Sequence, residues 1–385
     1  MEQNYILPKK DWLPFLDGIR GFAALWVMAG HCLFSLGLSF PILSSPGVAV
    51  DIFMMMSGFL MAYHYRLREK TQPWNSPQTW YTFYIRRFFR IAPLYYLILI
   101  LAFILNGQFN AWHKIAENNI IYATSAHSVD MLNILTHITF IFGLLPQYAS
   151  STVLPDWSIG LEMQFYAVFP FIMLLLKRYS YFTPSVFLCL INLISQKLFT
   201  VCTTSNSGLL GCFPQPSFLP MKISIFLIGI LLSEAYYYRS KNPQICSYII
   251  VMAMIVSGYE QSMLLLIFSS IFAALIFYNS KNDVLRIGRG IKTVQEILSN
   301  KISDFMADTS YSVYLAHNFI LAPSIALLAS FGWYVSLPGI VRFSLLFLAV
   351  ASLTYWSAWL LYNYVEKPGV TLGKAILKGF ANRAA

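Results

Sequence analysis

Long apolar runs alternate with short polar stretches along the whole chain. A helix of about 20 mainly apolar residues crosses the roughly 30 Å hydrocarbon core of a bilayer. Runs suited to that role lie near 15–38, 47–65, 91–106, 158–177, 180–200, 221–238, 246–259, 262–279, 310–331 and 338–363. The pattern predicts an all-α, polytopic membrane helix bundle with about ten transmembrane helices.

A weaker apolar stretch covers residues 131–146 and is interrupted by His137, Gly143 and Pro146. We interpret it as a re-entrant or interfacial segment. Counting it as a full span would move every later loop to the opposite side of the membrane and would break the charge pattern described next.

Composition agrees with a membrane protein, because 57% of the residues are hydrophobic and only 11% are charged, whereas charged residues make up about a quarter of a soluble domain. Basic residues outnumber acidic ones by 26 to 16. Cytoplasmic loops collect Lys and Arg, so this excess indicates no nucleic-acid partner.

The basic clusters alternate with loops that almost lack Lys and Arg, and this alternation predicts the orientation. One side holds Lys9 and Lys10, the Arg66 to Arg90 segment, Lys177 and Arg178, Arg239 and Lys241, 281–301, and Lys367 to Arg383. The other side holds 38–47, 107–157, 201–220 and 332–338. With ten spans, both termini are predicted to be cytoplasmic.

The first apolar run is interrupted by Asp17 and Arg20 and is followed by no small-residue cleavage site. We therefore expect a retained first helix and no cleaved signal peptide. Among the five cysteines, Cys202 and Cys212 share one predicted extracytoplasmic loop. A disulfide between them is compatible with an oxidising compartment, and the sequence alone leaves their pairing open.

Polar residues on the first helix are the best indication of a functional site. Arg20 and His31 are eleven residues apart, which places them within roughly 20° on one helical face and about 16 Å apart along the axis. Asp17 falls on the same stripe. A charge at bilayer depth costs on the order of 2.5 to 3.5 kcal/mol, so this face is expected to line a cavity. His is the usual general base, although a buried His bonded to a carbonyl is the structural alternative.

The second span carries Asp51 near its outer end and Ser57 and Gly58 in the sequence MSGF. Asp51 is a candidate to orient His31 or to hold Arg20. Ser57 and Gly58 fit either a site or close helix packing, since small residues let membrane helices approach.

Three arginines, Arg86, Arg87 and Arg90, lie in YIRRFFRIAPLYYL. Arg87 and Arg90 are neighbours at i, i+3 on one helical face. Planar guanidinium groups suit the phosphates of a coenzyme such as coenzyme A. The alternative is ordinary cytoplasmic charge facing anionic lipid.

The sequence DWSIGLEMQFY places Trp157 and Ser158 at a helix entrance and Glu162 one turn deeper. An acid inside a span needs a partner. Glu162 could bind a sugar hydroxyl, position a nucleophile, or pair with His31 or Arg20; the alternative is a structural ion pair between helices.

Near the other end, DTSYSVYLAHNF places Tyr311, Tyr314 and His317 on adjacent helical turns. The chain lacks the GxSxG, HExxH, Walker-type and GxGxxG motifs, which leaves hydrolase, metalloprotease, ATPase and dinucleotide-binding functions without support. The remaining histidines show no metal-ligand spacing, so no metal is expected: His64, His113, His127 and His137.

Taken together, these segments resemble the integral-membrane acyltransferase-3 family. The similar segments are LDGIRGFAALWVMAGH, GVAVDIFMMMSGFL, RRFFRIAPLYY, WSIGLEMQFY, SYSVYLAH and YNYVEKPG, and they occur in the family's order over nearly the whole chain. The resemblance implies transfer of an acyl group, usually acetyl from cytosolic acetyl-CoA, to a hydroxyl of a bacterial surface glycan such as O-antigen, capsule or exopolysaccharide. It also implies a location in the bacterial inner membrane.

By this resemblance, His31 is the catalytic base or a transient acyl carrier, with Arg20 as its partner. Arg87 and Arg90 would contact the coenzyme, while Glu162 and His317 would line the acceptor side. The forms MMMSGF and IAPLYY depart from the family's more aromatic versions but keep its small and charged residues.

The implied layout is a cytoplasmic segment at 1–14, a transmembrane acyltransferase domain at 15–365 and a cytoplasmic tail at 366–385. Some relatives carry a fused SGNH-type domain that completes transfer outside the membrane. None is present here, so we expect direct transfer or a separate periplasmic partner. The expected acceptor is a surface glycan or lipid-linked glycan, and the chain contacts membrane lipids. Transfer of succinyl or another acyl group, and a glycan or lipid transporter or flippase, are the alternatives.

Overall fold

A computed structural model of the chain describes residues 13–69, 71–119, 129–202, 209–260, 262–278 and 286–384. Lys9, Lys10 and His127, and the first residues of the predicted 281–301 loop, lie outside this part of the chain. The structure is 80% helical with almost no strands, which confirms the predicted all-α class.

The helices, in chain order, are α1 (Phe15–Ser35), α2 (Pro46–Arg68), α3 (Pro77–Ile104), α4 (Asn106–Asn119), α5 (Met131–Ile138), α6 (Trp157–Arg178), α7 (Phe182–Leu198), α8 (Ile223–Tyr238), α9 (Pro243–Tyr259), α10 (Met263–Phe277), α11 (Arg286–Ile297), α12 (Lys301–Ala329), α13 (Gly332–Val335), α14 (Gly339–Leu361) and α15 (Lys367–Ala384). A π-helical turn, Tyr362–Glu366, joins α14 to α15. Two three-residue strands, β1 (Phe199–Val201) and β2 (Gly211–Phe213), pair in parallel.

Each of the ten predicted apolar runs overlaps one of these helices, although α3 and α12 begin 14 and 9 residues before their runs. By length and composition, five helical segments of the described chain can cross a membrane: α2, α3, α6, α12 and the continuous helix that begins with α14. Helices α7 to α10 are shorter and apolar, and α1 contains Asp17, Arg20 and His31. Large apolar side chains such as Leu348 and Trp356 are exposed on the outside of the bundle, as expected for a surface that faces lipid. The chain is a membrane helix bundle.

The predicted re-entrant or interfacial stretch forms only the eight-residue helix α5 and a 3₁₀ turn at Ile141–Leu144. These elements are too short to span a bilayer. The hydroxyl of Ser217 donates to the carbonyl of Gly143 at 2.9 Å, which attaches this stretch to the segment before α8. In the same region Cys202 and Cys212 form a disulfide, the pairing that the sequence left open.

Helix α8 lies at the centre of the bundle, where all residues from Ile223 to Tyr236 are buried. It packs against α2 at two glycines, where the lack of a side chain lets the two backbones come into close contact. A Cβ added to Gly229 would lie 1.9 Å from the Met55 carbonyl oxygen, and one added to Gly58 would lie 2.2 Å from the Phe226 carbonyl oxygen. Gly58 therefore has the packing role that was one of its two interpretations.

A polar network joins α2, α6, α8 and the residue before α7 at the end of the bundle where the basic clusters lie. The Arg66 guanidinium binds the fully buried Glu234 carboxylate, with Nε 2.8 Å from Oε1, and also binds Glu69 at 3.0 Å. Tyr181 donates to Glu234 at 2.6 Å, and Lys177 binds Glu69. Burial alone would raise the pKa of Glu69, but the hydrogen bonds from Lys177 and Arg66 lower it below the usual value.

Candidate active site

In the part of the chain that the structure describes, two internal cavities hold most of the predicted site residues. The first, which we call the arginine cavity, has a volume of about 130 Å³. Helices α1, α2, α3, α6, α8 and α12 line it, and its lining includes these predicted residues: Arg20, Ser57, Arg87, Arg90, Ser158, Glu162, Tyr311 and Tyr314.

The second cavity, which we call the histidine cavity, has a volume of about 430 Å³. Of the predicted residues, His31 and Trp157 line it. Polar groups that the sequence did not single out complete the wall, among them Thr152, Gln215 and Asn318. The mixture of a half-buried imidazole, an indole and neutral polar groups is suited to a hydroxylated ligand.

Arg20 and His31 therefore face different cavities, although they lie on one stripe of α1. Between the cavities lies a small polar group that we call the partition. The Tyr314 hydroxyl lies 2.6 Å from the Ser158 hydroxyl and 2.8 Å from the Pro155 carbonyl oxygen. Tyr314 and Ser158 border the arginine cavity, whereas Pro155 borders the histidine cavity. The Pro155 carbonyl oxygen can only accept a hydrogen bond, so the Tyr314 hydroxyl donates to it. The Tyr314 hydroxyl oxygen then accepts a hydrogen bond from Ser158.

The acidic side of the arginine cavity is provided by Glu162. The Ser57 hydroxyl donates to Glu162 at 3.1 Å, and Tyr166 also donates to this carboxylate. The Arg87 guanidinium lies 5.4 Å from the centre of the Tyr166 ring, within the range of a cation–π contact. The structure thus places Glu162 beside the arginines, whereas the family resemblance placed it on the acceptor side.

Arg90 is held by a residue to which sequence reasoning assigned no role. Its Nη1 lies 2.5 Å from Oε1 of Glu366, which is 2% exposed. The Ser312 hydroxyl donates to the other carboxylate oxygen at 2.9 Å. Glu366 ends the π-helical turn, a local widening that is often found at functional sites. An acid within the YNYVEKPG segment after an apolar run was the signal available in the sequence.

Other predicted residues lie outside this arrangement. Arg86 is exposed on α3 and lies beyond the cavity lining. Asp17 is half-buried in the first turn of α1. Asp51 forms an ion pair with Lys222, with distances of 2.9 and 3.1 Å from Nζ to the two carboxylate oxygens. This pairing, which the sequence did not indicate, differs from the predicted contact of Asp51 with His31 or Arg20.

His31, in the wall of the histidine cavity, contacts His317, which is 286 residues away in the chain and is not among the lining residues. Nδ1 of His31 lies 2.7 Å from Nε2 of His317, and His317 is fully buried on α12. Another histidine, His113 of α4, lines the cavity. Burial lowers the pKa of His113, and Glu117 opposes this shift. No pattern in the sequence linked His113 to this site.

An apolar bundle with charged and paired side chains around internal cavities defines an integral membrane protein with a buried polar site. Residues 13–363 match the family described as "Acyltransferase domain", and the chain belongs to this acyltransferase-3 family. The predicted family membership is therefore confirmed.

Two curated relatives are similar over part of their length. The chain is 29% identical over 175 residues to the peptidoglycan O-acetyltransferase OatA of Listeria monocytogenes, covering 44% of this chain and 25% of that protein. It is 25% identical over 163 residues to the putative peptidoglycan O-acetyltransferase YrhL of Bacillus subtilis, covering 41% and 23%. The matched stretch thus spans about a quarter of these relatives. No solved structure matches the chain significantly.

Proposed function

We propose that the chain is a membrane O-acyltransferase that moves an acetyl group from cytosolic acetyl-CoA to a hydroxyl of a bacterial surface polysaccharide. The observation that carries this proposal is the pair of chemically different cavities along α1, one rich in arginine and one built around His31. The names of the relatives, which describe O-acetyl transfer to a glycan polymer, support the same reaction class.

The arginine cavity is the proposed donor site. Arg20, Arg87 and Arg90 present three guanidinium groups against the carboxylates of Glu162 and Glu366, which leaves a positive surplus for a polyanionic ligand. A volume of about 130 Å³ is small compared with sites of roughly 300 to 1,000 Å³ that enclose whole cofactors. The nucleotide would therefore stay outside the cavity at its mouth, and the pantetheine arm with its thioester would enter the cavity.

The proposed orientation places the histidine cavity on the extracytoplasmic side. Cys212 is two residues from Pro214, which lines this cavity, and disulfides persist in oxidising compartments. The basic network around Arg66 and Lys177 lies at the opposite end of the spans. This end is the proposed cytoplasmic side, because cytoplasmic loops collect Lys and Arg. Both termini would then be cytoplasmic, in the inner membrane of a bacterium.

In the proposed reaction, His31 is the general base. The acceptor hydroxyl oxygen attacks the thioester carbonyl carbon while its proton passes to His31; the carbon–sulfur bond then breaks, and the coenzyme leaves as a thiolate that regains a proton. Holding both reactants contributes on the order of 7 to 11 kcal/mol in the best geometry. Arg20 or Tyr314 is placed to stabilise the developing oxyanion.

A two-step route, in which His31 first accepts the acetyl group and then releases it to the glycan, uses the same residues. In both routes the acetyl group must pass the partition formed by Tyr314 and Ser158, because the coenzyme and the glycan occupy opposite sides of it. A separate periplasmic partner would act after this passage. Rapid-quench detection of an acetyl group on the protein before the glycan is added would distinguish the two-step route.

The test uses purified protein in lipid nanodiscs, acetyl-CoA labelled in its acetyl group, and surface glycan. The wild type should transfer label to the glycan and release coenzyme A in step. His31→Ala should lose on the order of 10²- to 10⁴-fold of this rate. His64→Gln is the matched control, because the ring nitrogen Nδ1 of His64 bonds the Leu60 carbonyl of its own helix and His64 lines neither cavity; it should keep the rate within about twofold.

Transfer that survives His31→Ala would remove His31 from the mechanism. Turnover with succinyl-CoA but not with acetyl-CoA would support an acyltransferase and would refute acetyl-CoA as its donor. No release of coenzyme with any acyl donor would refute the proposed function and would favour a transporter, whose substrate path also needs buried polar groups.

A further inference from the structure

We propose that His317 is a positioning residue that holds His31 in the tautomer with its proton on Nδ1, so that the Nε2 lone pair is the base on the histidine cavity. This inference deepens the proposed function and rests on it. It follows from a chain of hydrogen bonds whose direction is set at one end by a backbone carbonyl.

Two backbone carbonyls determine which nitrogen of His317 carries the hydrogen. Its Nδ1 lies 2.7 Å from the Tyr314 carbonyl oxygen and 3.3 Å from that of Val313. Carbonyl oxygens only accept hydrogen bonds, so Nδ1 of His317 must carry a hydrogen. In a neutral imidazole the other nitrogen, Nε2, is then an acceptor.

The acceptor nitrogen of His317 in turn determines which nitrogen of His31 carries the hydrogen. Nε2 of His317 lies 2.7 Å from Nδ1 of His31, and an acceptor at that distance requires a donor opposite. Nδ1 of His31 therefore carries the hydrogen, and its Nε2 keeps a free lone pair. The ring centroids are 4.9 Å apart with 29° between the planes, so the second imidazole also restricts the orientation of the first.

His317 itself stays neutral in this arrangement. It is fully buried on α12, and among the described residues no carboxylate forms an ion pair with it. An isolated buried imidazolium would be costly. His31 differs, because it borders a cavity of about 430 Å³ that can admit the acceptor and water.

Asn318, the next residue along α12, also contacts His31. Its amide nitrogen carries two hydrogens, of which one is donated to the Val153 carbonyl oxygen at 3.0 Å. The other is available for the hydrogen bond between Asn318 and His31, which agrees with an unprotonated Nε2. When the acceptor hydroxyl gives its proton to Nε2 of His31, this nitrogen becomes an N–H donor. The proton later returns to the coenzyme thiolate, so the cycle balances.

Tyr314, whose carbonyl oxygen begins this series of hydrogen bonds, is also part of the partition. The Tyr314 carbonyl holds His317, while the Tyr314 hydroxyl bonds Pro155 and Ser158. One turn of α12 therefore fixes both the base and the barrier that the acetyl group must cross.

The first experiment observes the tautomer directly. Protein labelled with ¹⁵N-histidine is reconstituted in lipid, and the His31 signals are assigned by their loss in His31→Gln. In the wild type, Nδ1 of His31 should be protonated and Nε2 should show the shift of an unprotonated ring nitrogen. In His317→Leu both tautomers should appear. A wild-type His31 with its proton on Nε2 would overturn the inference, whether or not the protein proves to be an acetyltransferase.

The second experiment compares His317→Leu with His317→Gln in acetyl transfer. The Leu variant should lose about 10²-fold in kcat, with the KM for acetyl-CoA changed less than twofold because His317 lies outside the arginine cavity lining. The Gln variant keeps an oxygen that can accept from Nδ1–H and should recover to within tenfold of wild type. A Leu variant with wild-type kcat would refute the positioning role. If the Leu variant fails to fold, a Gln variant as slow as His31→Ala refutes the role, and recovery supports it.

Discussion

Replacing Gly229 with alanine tests whether the contact between α2 and α8 controls both stability and the site. The added Cβ would lie 1.9 Å from the Met55 carbonyl oxygen and 2.7 Å from the Phe59 nitrogen. Both are backbone atoms, so no side-chain rotation relieves the overlap. Close carbon–oxygen contacts between backbones lie near 3.3 to 3.6 Å, and the two helices must therefore separate by up to about 1.5 Å.

The magnitude follows from two opposing effects. Overpacking of a tight interior costs about 1 to 3 kcal/mol, and alanine returns up to about 1 kcal/mol through its higher helix propensity. An overlap with backbone atoms belongs at the upper end of the overpacking range, so we expect a net destabilisation of about 2 kcal/mol. Because α2 also carries Ser57, its displacement would break the 3.1 Å hydrogen bond to Glu162, and a 1 Å misplacement in a site costs on the order of 10²-fold in rate.

The assay pairs thermal unfolding, followed by tryptophan fluorescence in detergent, with release of coenzyme A. Gly229→Ala should melt several degrees below wild type and should lose activity at temperatures where it is still folded. Gly258→Ala is the control, since a Cβ at that glycine of α9 meets nothing within 4 Å. If the two variants melted together and were equally active, the close approach of α2 and α8 would have no energetic importance.

Three further results are expected. Arg87→Ala should raise the KM for acetyl-CoA roughly 10- to 100-fold through loss of a charged contact, while Arg86→Ala should change it less than about threefold; equal effects in kinetic titrations would contradict the placement of the donor site. Glu366→Gln removes the charged partner of Arg90, whose side chain is 32% exposed, and should destabilise the fold by about 1.5 to 3 kcal/mol, measured as a lower melting temperature that acetyl-CoA partly restores; an unchanged melting temperature would count against that ion pair. Mass spectrometry of denatured, maleimide-treated protein should find three reactive thiols before reduction and five after it, since Cys202 and Cys212 are bonded; five before reduction would exclude the disulfide.

Much of the architecture could be predicted from the sequence because membrane helices follow from local apolar runs. Each of the ten runs overlaps a helix. The stretch at 131–146, which was not counted as a span, forms a helix of only eight residues. The convergence of Arg20, Arg87 and Arg90 on one cavity agrees with the polar face of α1, which was expected to line a cavity, and with the placement of Arg87 and Arg90 on one face of α3.

The long-range pairings could not be predicted in the same way. Helical periodicity places Arg20 and His31 on one stripe but says nothing of Tyr314 and Ser158, which come from α12 and α6 to lie between the two cavities. The partnership of Arg90 with Glu366 joins residues 276 positions apart. Such contacts depend on how helices pack, and a single sequence carries no direct signal of that packing.

The pairing of Asp51 illustrates the physical limit. An acid within a span requires a partner, and the nearest candidates on neighbouring predicted helices were Arg20 and His31. The structure instead pairs it with Lys222, the residue just before α8. The rule that a buried charge needs a partner was correct, whereas the choice of partner depended on the α2–α8 contact.

The partition has a consequence for the energy of the cell. A bilayer that stores an ion gradient cannot tolerate a continuous file of water, along which protons pass by exchange between neighbouring molecules. The Tyr314 hydroxyl fills its bonds with Ser158 and Pro155 and so interrupts any such file between the two cavities. The proposed passage of an acetyl group across the bundle would in this way leave it closed to the ions on both sides.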